Sequence, residues 1–124
     1  MGRTVHEKVR KLMFKRSCPM CSQIDGCVII VEKRSSRSAY DIFVKKDEVY
    51  YKVSTVPRPE SLKKSKKRKR LFEEISNFVR KADNTHFFYT YHYIFGDEDK
   101  IWELYELLKK YTKRAELIKE LLLS

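Results

Sequence analysis

Chemistry is first suggested by Cys18-Pro19-Met20-Cys21, where residue type and spacing together favour an ion. Two residues between cysteines let both sulfurs reach one tetrahedral Zn²⁺. Cys27, six residues on, is the third and last cysteine, so closing a four-coordinate site requires a histidine, and His6, His86 and His92 are the candidates. The thiols of Cys18, Cys21 and Cys27 are also open to a disulfide, Cys18–Cys21 or Cys21–Cys27, or to staying free. Thioredoxin-like chemistry is disfavoured: its CxxC follows a strand and opens a helix, whereas this one is expected after a helix and before strands.

A second constellation is purely electrostatic. Seven of the eight residues from Lys63 to Arg70 are basic: Lys63, Lys64, Lys66, Lys67, Arg68, Lys69 and Arg70. Crowded at the N-terminal side of a helix, these cations repel one another and face the positive end of the helix dipole. Phosphates relieve both costs, and the counterions released add affinity, so DNA or RNA is the expected partner. A solvated loop or a localisation signal is the alternative, and segment 62–70 is a candidate mobile stretch. Tyr50, Tyr51, Phe88, Tyr89, Tyr91 and Tyr93 could stack on bases, although strand aromatics more often fill a core.

The charge of the whole chain points the same way. Of the net +11 over 124 residues, positions 1–70 hold 20 Lys/Arg against 7 Asp/Glu, while positions 71–124 hold 8 against 10. Such asymmetry suggests one cationic face rather than a general solubility surplus. No apolar run approaches the roughly 20 residues of a membrane span, and the first residues lack the apolar stretch of a secretory signal, so a cytoplasmic protein without a membrane partner is expected. Gln23, Asn77 and Asn84 are the only side-chain amides, a composition that leans towards a thermophile.

These residues must be positioned by about seven elements. Thr4 and Glu7 form a capping box ahead of Val5, Val9, Leu12 and Met13, which predicts a first helix over about 4–15. Cys27–Arg34, Ala39–Lys46 and Val49–Val56 read as three strands, the last two joined by a turn at Lys46-Asp47-Glu48. Leu71, Phe72, Ile75, Phe78, Val79 and Ala82 mark a helix beginning beyond the basic run, and His86–Phe95 reads as one aromatic strand. Asp97 then caps a long final helix with Ile101, Leu104, Leu108, Tyr111, Ala115, Ile118 and Leu122 on one stripe. Its second half extends past what so small a core can bury, which suggests a homodimer contact. The whole is expected to be one α+β domain over 1–124, of order αβββαβα, with helices packed on a nuclease-like mixed sheet.

From Tyr40 to Ile94 this order resembles the PD-(D/E)xK nucleases of the archaeal Holliday junction resolvase type. Tyr40-Asp41-Ile42-Phe43-Val44 is similar to the family's Pro-Asp-Ile strand, and Arg70 onwards to its helix and fourth strand. The resemblance implies Mg²⁺-assisted phosphodiester hydrolysis with Glu7 and Asp41 as catalytic residues. It departs at the third motif, where Val53-Ser54-Thr55-Val56 stands in place of Glu-x-Lys and Lys52 lies one residue out of register, on the opposite strand face. Helix, three strands, helix also resembles the double-stranded RNA-binding domain, with Lys63-Lys64-Ser65-Lys66-Lys67 as its phosphate-gripping cluster. Three functions follow as expectations: a nucleic-acid-binding protein, a Mg²⁺-dependent structure-specific nuclease, or a homo-oligomeric assembly protein of viral or mobile-element origin.

Overall fold

The structure, a computed structural model, describes residues 18–34, 38–59 and 65–123. The helix expected over 4–15, with His6 and Glu7, lies outside the described residues, as do Lys63 and Lys64. The expected α+β class is found: a five-stranded sheet carries helices on one face, with β1 (Cys27–Glu32), β2 (Ser38–Lys46), β3 (Val49–Pro57), α1 (Lys66–Phe78), β4 (Asn84–Phe88), β5 (Thr90–Phe95), α2 (Glu98–Leu108) and a single turn α3 (Glu116–Ile118). Strand order is β3-β2-β1-β5-β4, and every neighbouring pair is antiparallel.

β-Branched and aromatic alternation builds the sheet. In β1, Val28 and Ile30 face the helices while Cys27, Ile29 and Val31 face away, and both sets are buried. The β2–β3 turn falls where expected, with Asp47 at φ 52° and Glu48 at φ 63°, the positive angles that a two-residue hairpin requires. A register shift between Ile42 and Phe43 sets Ile42 opposite Ser54 and Phe43 opposite Lys52, leaving Val53 as the extra residue of a bulge.

Three elements differ from expectation. The aromatic segment is two strands, because Tyr89 adopts φ 65° and reverses the chain so that Phe88 pairs with Thr90. No Gly, Asn or Asp marks that tip, so composition alone reads straight through it. α1 starts inside the basic run, where the Ser65 hydroxyl accepts from the Arg68 N–H at 3.3 Å and provides the cap that lets lysines begin a helix. Its buried side is Leu71, Ile75 and Phe78, the last stacked on Phe95 with ring centroids 4.7 Å apart.

The final helix is broken. Asp97 caps α2 as expected, but Thr112 is extended, and its hydroxyl accepts from the Arg114 N–H, starting a new turn. A straight helix would carry Leu121 about 25 Å beyond Leu104. The break instead folds Ala115, Ile118 and Leu121 into the core shared by Leu104 and Leu108, so residues expected at a homodimer contact are covered by their own chain. Tyr105 ties the two segments by donating to Glu116 at 2.6 Å. Among the described residues, no helix is long and apolar enough to cross a membrane.

Candidate metal centre and basic cleft

Four donors converge on the sheet face that α1 and α2 do not cover. Cys18 and Cys21 come from the loop before β1, His86 from β4 and His92 from β5, and their ligand atoms all lie within 4.8 Å of one another. His86 Nε2 is 3.3 Å from each sulfur; His92 Nδ1 is 3.2 Å from Cys21 Sγ and 3.2 Å from His86 Nε2. Metal–sulfur and metal–nitrogen lengths of about 2.3 and 2.05 Å give a tetrahedron with edges of about 3.4–3.8 Å, so these four separations stand within a few tenths of the spacing one ion sets. Hydrogen bonding alone does not account for the arrangement. A ring nitrogen carries either one hydrogen or one lone pair in its plane, and His86 Nε2 has three such neighbours.

Local sequence explains each position. Within the Cys-x-x-Cys turn, the Cys21 N–H points to Cys18 Sγ at 3.4 Å and Ser22 N–H donates to the Cys18 carbonyl at 3.0 Å. Gly26, at φ 63°, then turns the chain into β1. Lys45, itself buried, reaches under the turn: its ammonium donates to the carbonyls of Cys21 and Ile24 and lies over the Tyr50 ring. Tight reversal at Tyr89 makes His86 and His92 direct cross-strand partners. Thr90 Oγ1 sits 3.0 Å from His92 Nε2; with that nitrogen donating, the Nδ1 lone pair faces the cluster.

The site is dry. Cys18, Cys21 and His92 are buried and His86 is half-buried. Burial, then the hydrogen bond and charge of Cys18, push the Cys21 thiol upward. Burial and the neighbouring His86 hold His92 down at about 4, so its imidazole is neutral at ordinary pH, the form that ligates. Among the described residues this is the one group of three or more His, Cys, Asp or Glu donors.

Cys27 corrects the expected metal set. It is a separate buried thiol at the start of β1, pushed up to about 11 by burial, and it is not among the four donors. All three cysteines are free, with no disulfide between them. His86 and His92 stand where a histidine was wanted, and both join the cluster rather than one.

Asp41 is brought to a different kind of company. Its carboxylate is fully buried, with Lys33 Nζ at 2.6 Å, Lys52 Nζ at 3.5 Å and the Thr55 hydroxyl donating at 3.1 Å. The β3 bulge overturns the expected register, placing Lys52 on the Asp41 face. The partners given to Asp41 are thus two ammoniums and a hydroxyl, an arrangement that neutralises a carboxylate and repels a Mg²⁺ ion.

The described part of the basic run, Lys66, Lys67, Arg68, Lys69 and Arg70, is exposed throughout and forms the first turns of α1. Among the described residues, ion pairs engage Lys33, Lys52, Lys81, Lys100, Lys109 and Lys110, and none of these five. Beside them opens a cleft of about 590 Å³, walled by Ser54, Thr55 and Pro57 of β3, by Lys67, Arg68 and Leu71, and by Tyr111 and Thr112. The turn after α2 therefore supplies Tyr111 and Thr112 to the cleft wall, and these two residues lie between Lys109-Lys110 and Lys113-Arg114 in the sequence. Among the aromatics expected to stack, Tyr50 and Tyr51 are buried, whereas Tyr89 is 66% exposed, and Phe87, which composition did not single out, is 55% exposed. No family model, curated protein or solved structure matches this chain.

Proposed function

We propose that the protein binds nucleic acid through the basic first turns of α1 and the adjoining cleft, on a fold clipped by Zn²⁺ at Cys18, Cys21, His86 and His92. The observation that carries the binding role is the run of five consecutive exposed cations, Lys66 to Arg70, at a helix N-terminus, with no carboxylate partner among the described residues. In the free protein these charges oppose one another and the helix dipole, and a phosphodiester chain removes both penalties. The hydroxyls of Ser54 and Thr112 in the cleft wall are further donors suited to phosphate oxygens.

Zinc is the favoured ion because two thiolates and two imidazoles at tetrahedral spacing form its usual structural set. With all four positions filled by protein and most donors buried, the ion stabilises rather than catalyses. The nuclease reading has less support, since the resemblance that suggested it places Asp41 among lysines. Titration of fluorescein-labelled 20-mer DNA and RNA at several salt concentrations tests the binding role. Replacing Lys67, Arg68 and Arg70 together by alanine should weaken binding at least tenfold and reduce the slope of log K against log salt by about 2–3, near 0.9 for each phosphate no longer neutralised. Unchanged affinity and slope would remove α1 from the interface. Elemental analysis of protein purified without added metal should find one zinc per chain.

A further inference from the structure

Three large apolar side chains stand exposed among the described residues: Met20, Phe87 and Tyr89. All three lie between paired metal donors, Met20 in the Cys18–Cys21 turn and the two aromatics in the His86–His92 hairpin. Phe87 meets Tyr91 edge to face at 5.1 Å, and the Arg34 guanidinium covers Tyr91 at 5.4 Å. Exposed aromatic area of this kind is costly in water unless something covers it.

Register places this hairpin relative to the cations. Phe87 pairs with Tyr91, Tyr91 with Glu32, Glu32 with Tyr40 and Tyr40 with Val56, a single row across all five strands. The hairpin tip and the β3 end that walls the basic cleft are therefore at the same end of the sheet, on opposite edges about 19 Å apart. Arg34 and Arg58 lie just past the β1 and β3 ends in that row, and Arg58 donates to the carbonyls of Lys33 and Arg34. Residues 84–95 contain no Asp or Glu, and the one carboxylate in the row, Glu32, accepts from the Tyr93 hydroxyl at 2.6 Å.

We infer that a single-stranded nucleic acid crosses this end of the sheet, its phosphates on the α1 turn, Arg58 and Arg34, and its unpaired bases stacked on Phe87 and Tyr89. The inference rests on the nucleic-acid reading above and adds the strandedness of the ligand and a second half to the site. Aromatic faces accept unpaired bases of any sequence, whereas a duplex keeps its bases stacked internally, and 19 Å is within the reach of the shortest strands such surfaces take, about four nucleotides. The tetrahedral clip fixes both loops that carry the exposed side chains, so the platform is set before the strand arrives.

The test compares fluorescein-labelled dT12 with a 12-base-pair duplex. The double variant Phe87→Ala/Tyr89→Ala should lose about tenfold or more in affinity for dT12 and less than twofold for the duplex. Both side chains are more than half exposed, so the fold should tolerate their loss; should it not, Phe87→Trp in a Trp102→Phe background gives a second readout, its emission quenched as a thymine stacks. Wild-type dT12 affinity in the double variant, or an unquenched tryptophan, overturns the inference, and loss of binding in the α1 variant would then leave the broader reading standing. Failure of wild-type protein to bind either probe at low salt removes both. If the double variant changes the sedimenting mass but not dT12 affinity, the hairpin is a self-association surface and the inference is wrong.

Discussion

Asp41 and His92 occupy the same row of the sheet, on either side of Val31, yet their surroundings are opposite. Across the row from Thr55 to His86, one end holds a buried anion already matched by two lysines and a hydroxyl. The other holds two thiols and two imidazoles whose neighbouring donor atoms approach to 3.2–3.3 Å, with no ammonium among them. Lys45, the nearest buried cation, directs its ammonium to backbone carbonyls instead. A buried group whose charge the chain itself balances is complete; one whose donor atoms converge with no ammonium beside them could accept a cation from outside. That contrast separates a carboxylate engaged by its own chain from a Cys/His cluster that could hold a metal.

The largest effect should follow from emptying the cluster. Structural zinc supplies apparent binding energies on the order of 10 kcal/mol in small domains, and that energy becomes folding energy. If even about 4 kcal/mol depends on the ion here, a strong chelator or Cys21→Ser lowers Tm by roughly 15 °C. Calorimetry with and without chelator measures this, and a wild-type melt indifferent to chelator would break the contrast. Asp41→Ala comes next, at about 3 kcal/mol, because it strands Lys33 and Lys52 beside an apolar sheet, although each remains partly in water. Zinc content should be unchanged in that variant; loss of metal would show the two centres to be one unit.

The sequence expresses the fold well wherever a side chain's local neighbours decide its conformation. Cys27–Glu32, the positive-φ turn at Asp47-Glu48 and the Asp97 cap are all visible in composition and spacing. The tip at Tyr89 is hidden because a left-handed tyrosine is held there by strand pairing on both sides, not by its own preference. That one turn also hides half of the metal set, since His86 and His92 become neighbours only when the strand folds back. Their symmetric placement, three residues on either side of Tyr89, is the signal that a search for paired ligands would have used. The α2–α3 break is likewise tertiary: the apolar stripe is continuous in sequence, and only the small size of the core forces it to bend at Thr112.

Two threonines offer the finest test, because each serves one centre through a single hydroxyl. Thr90 is 3.0 Å from His92 Nε2, and Thr55 is 3.1 Å from the Asp41 carboxylate. Valine preserves the shape and strand preference of both. At Thr90 it removes the acceptor that orients a ligand imidazole, so zinc affinity measured against a competing chelator should fall about tenfold or more. At Thr55 it removes one donor from a carboxylate still held by two lysines, so stability should fall by about 1 kcal/mol while zinc affinity stays fixed. Chemical denaturation and metal competition on the two variants separate these outcomes, since a helper of a metal ligand acts through the ion and a helper of a closed charge cluster acts through the fold alone.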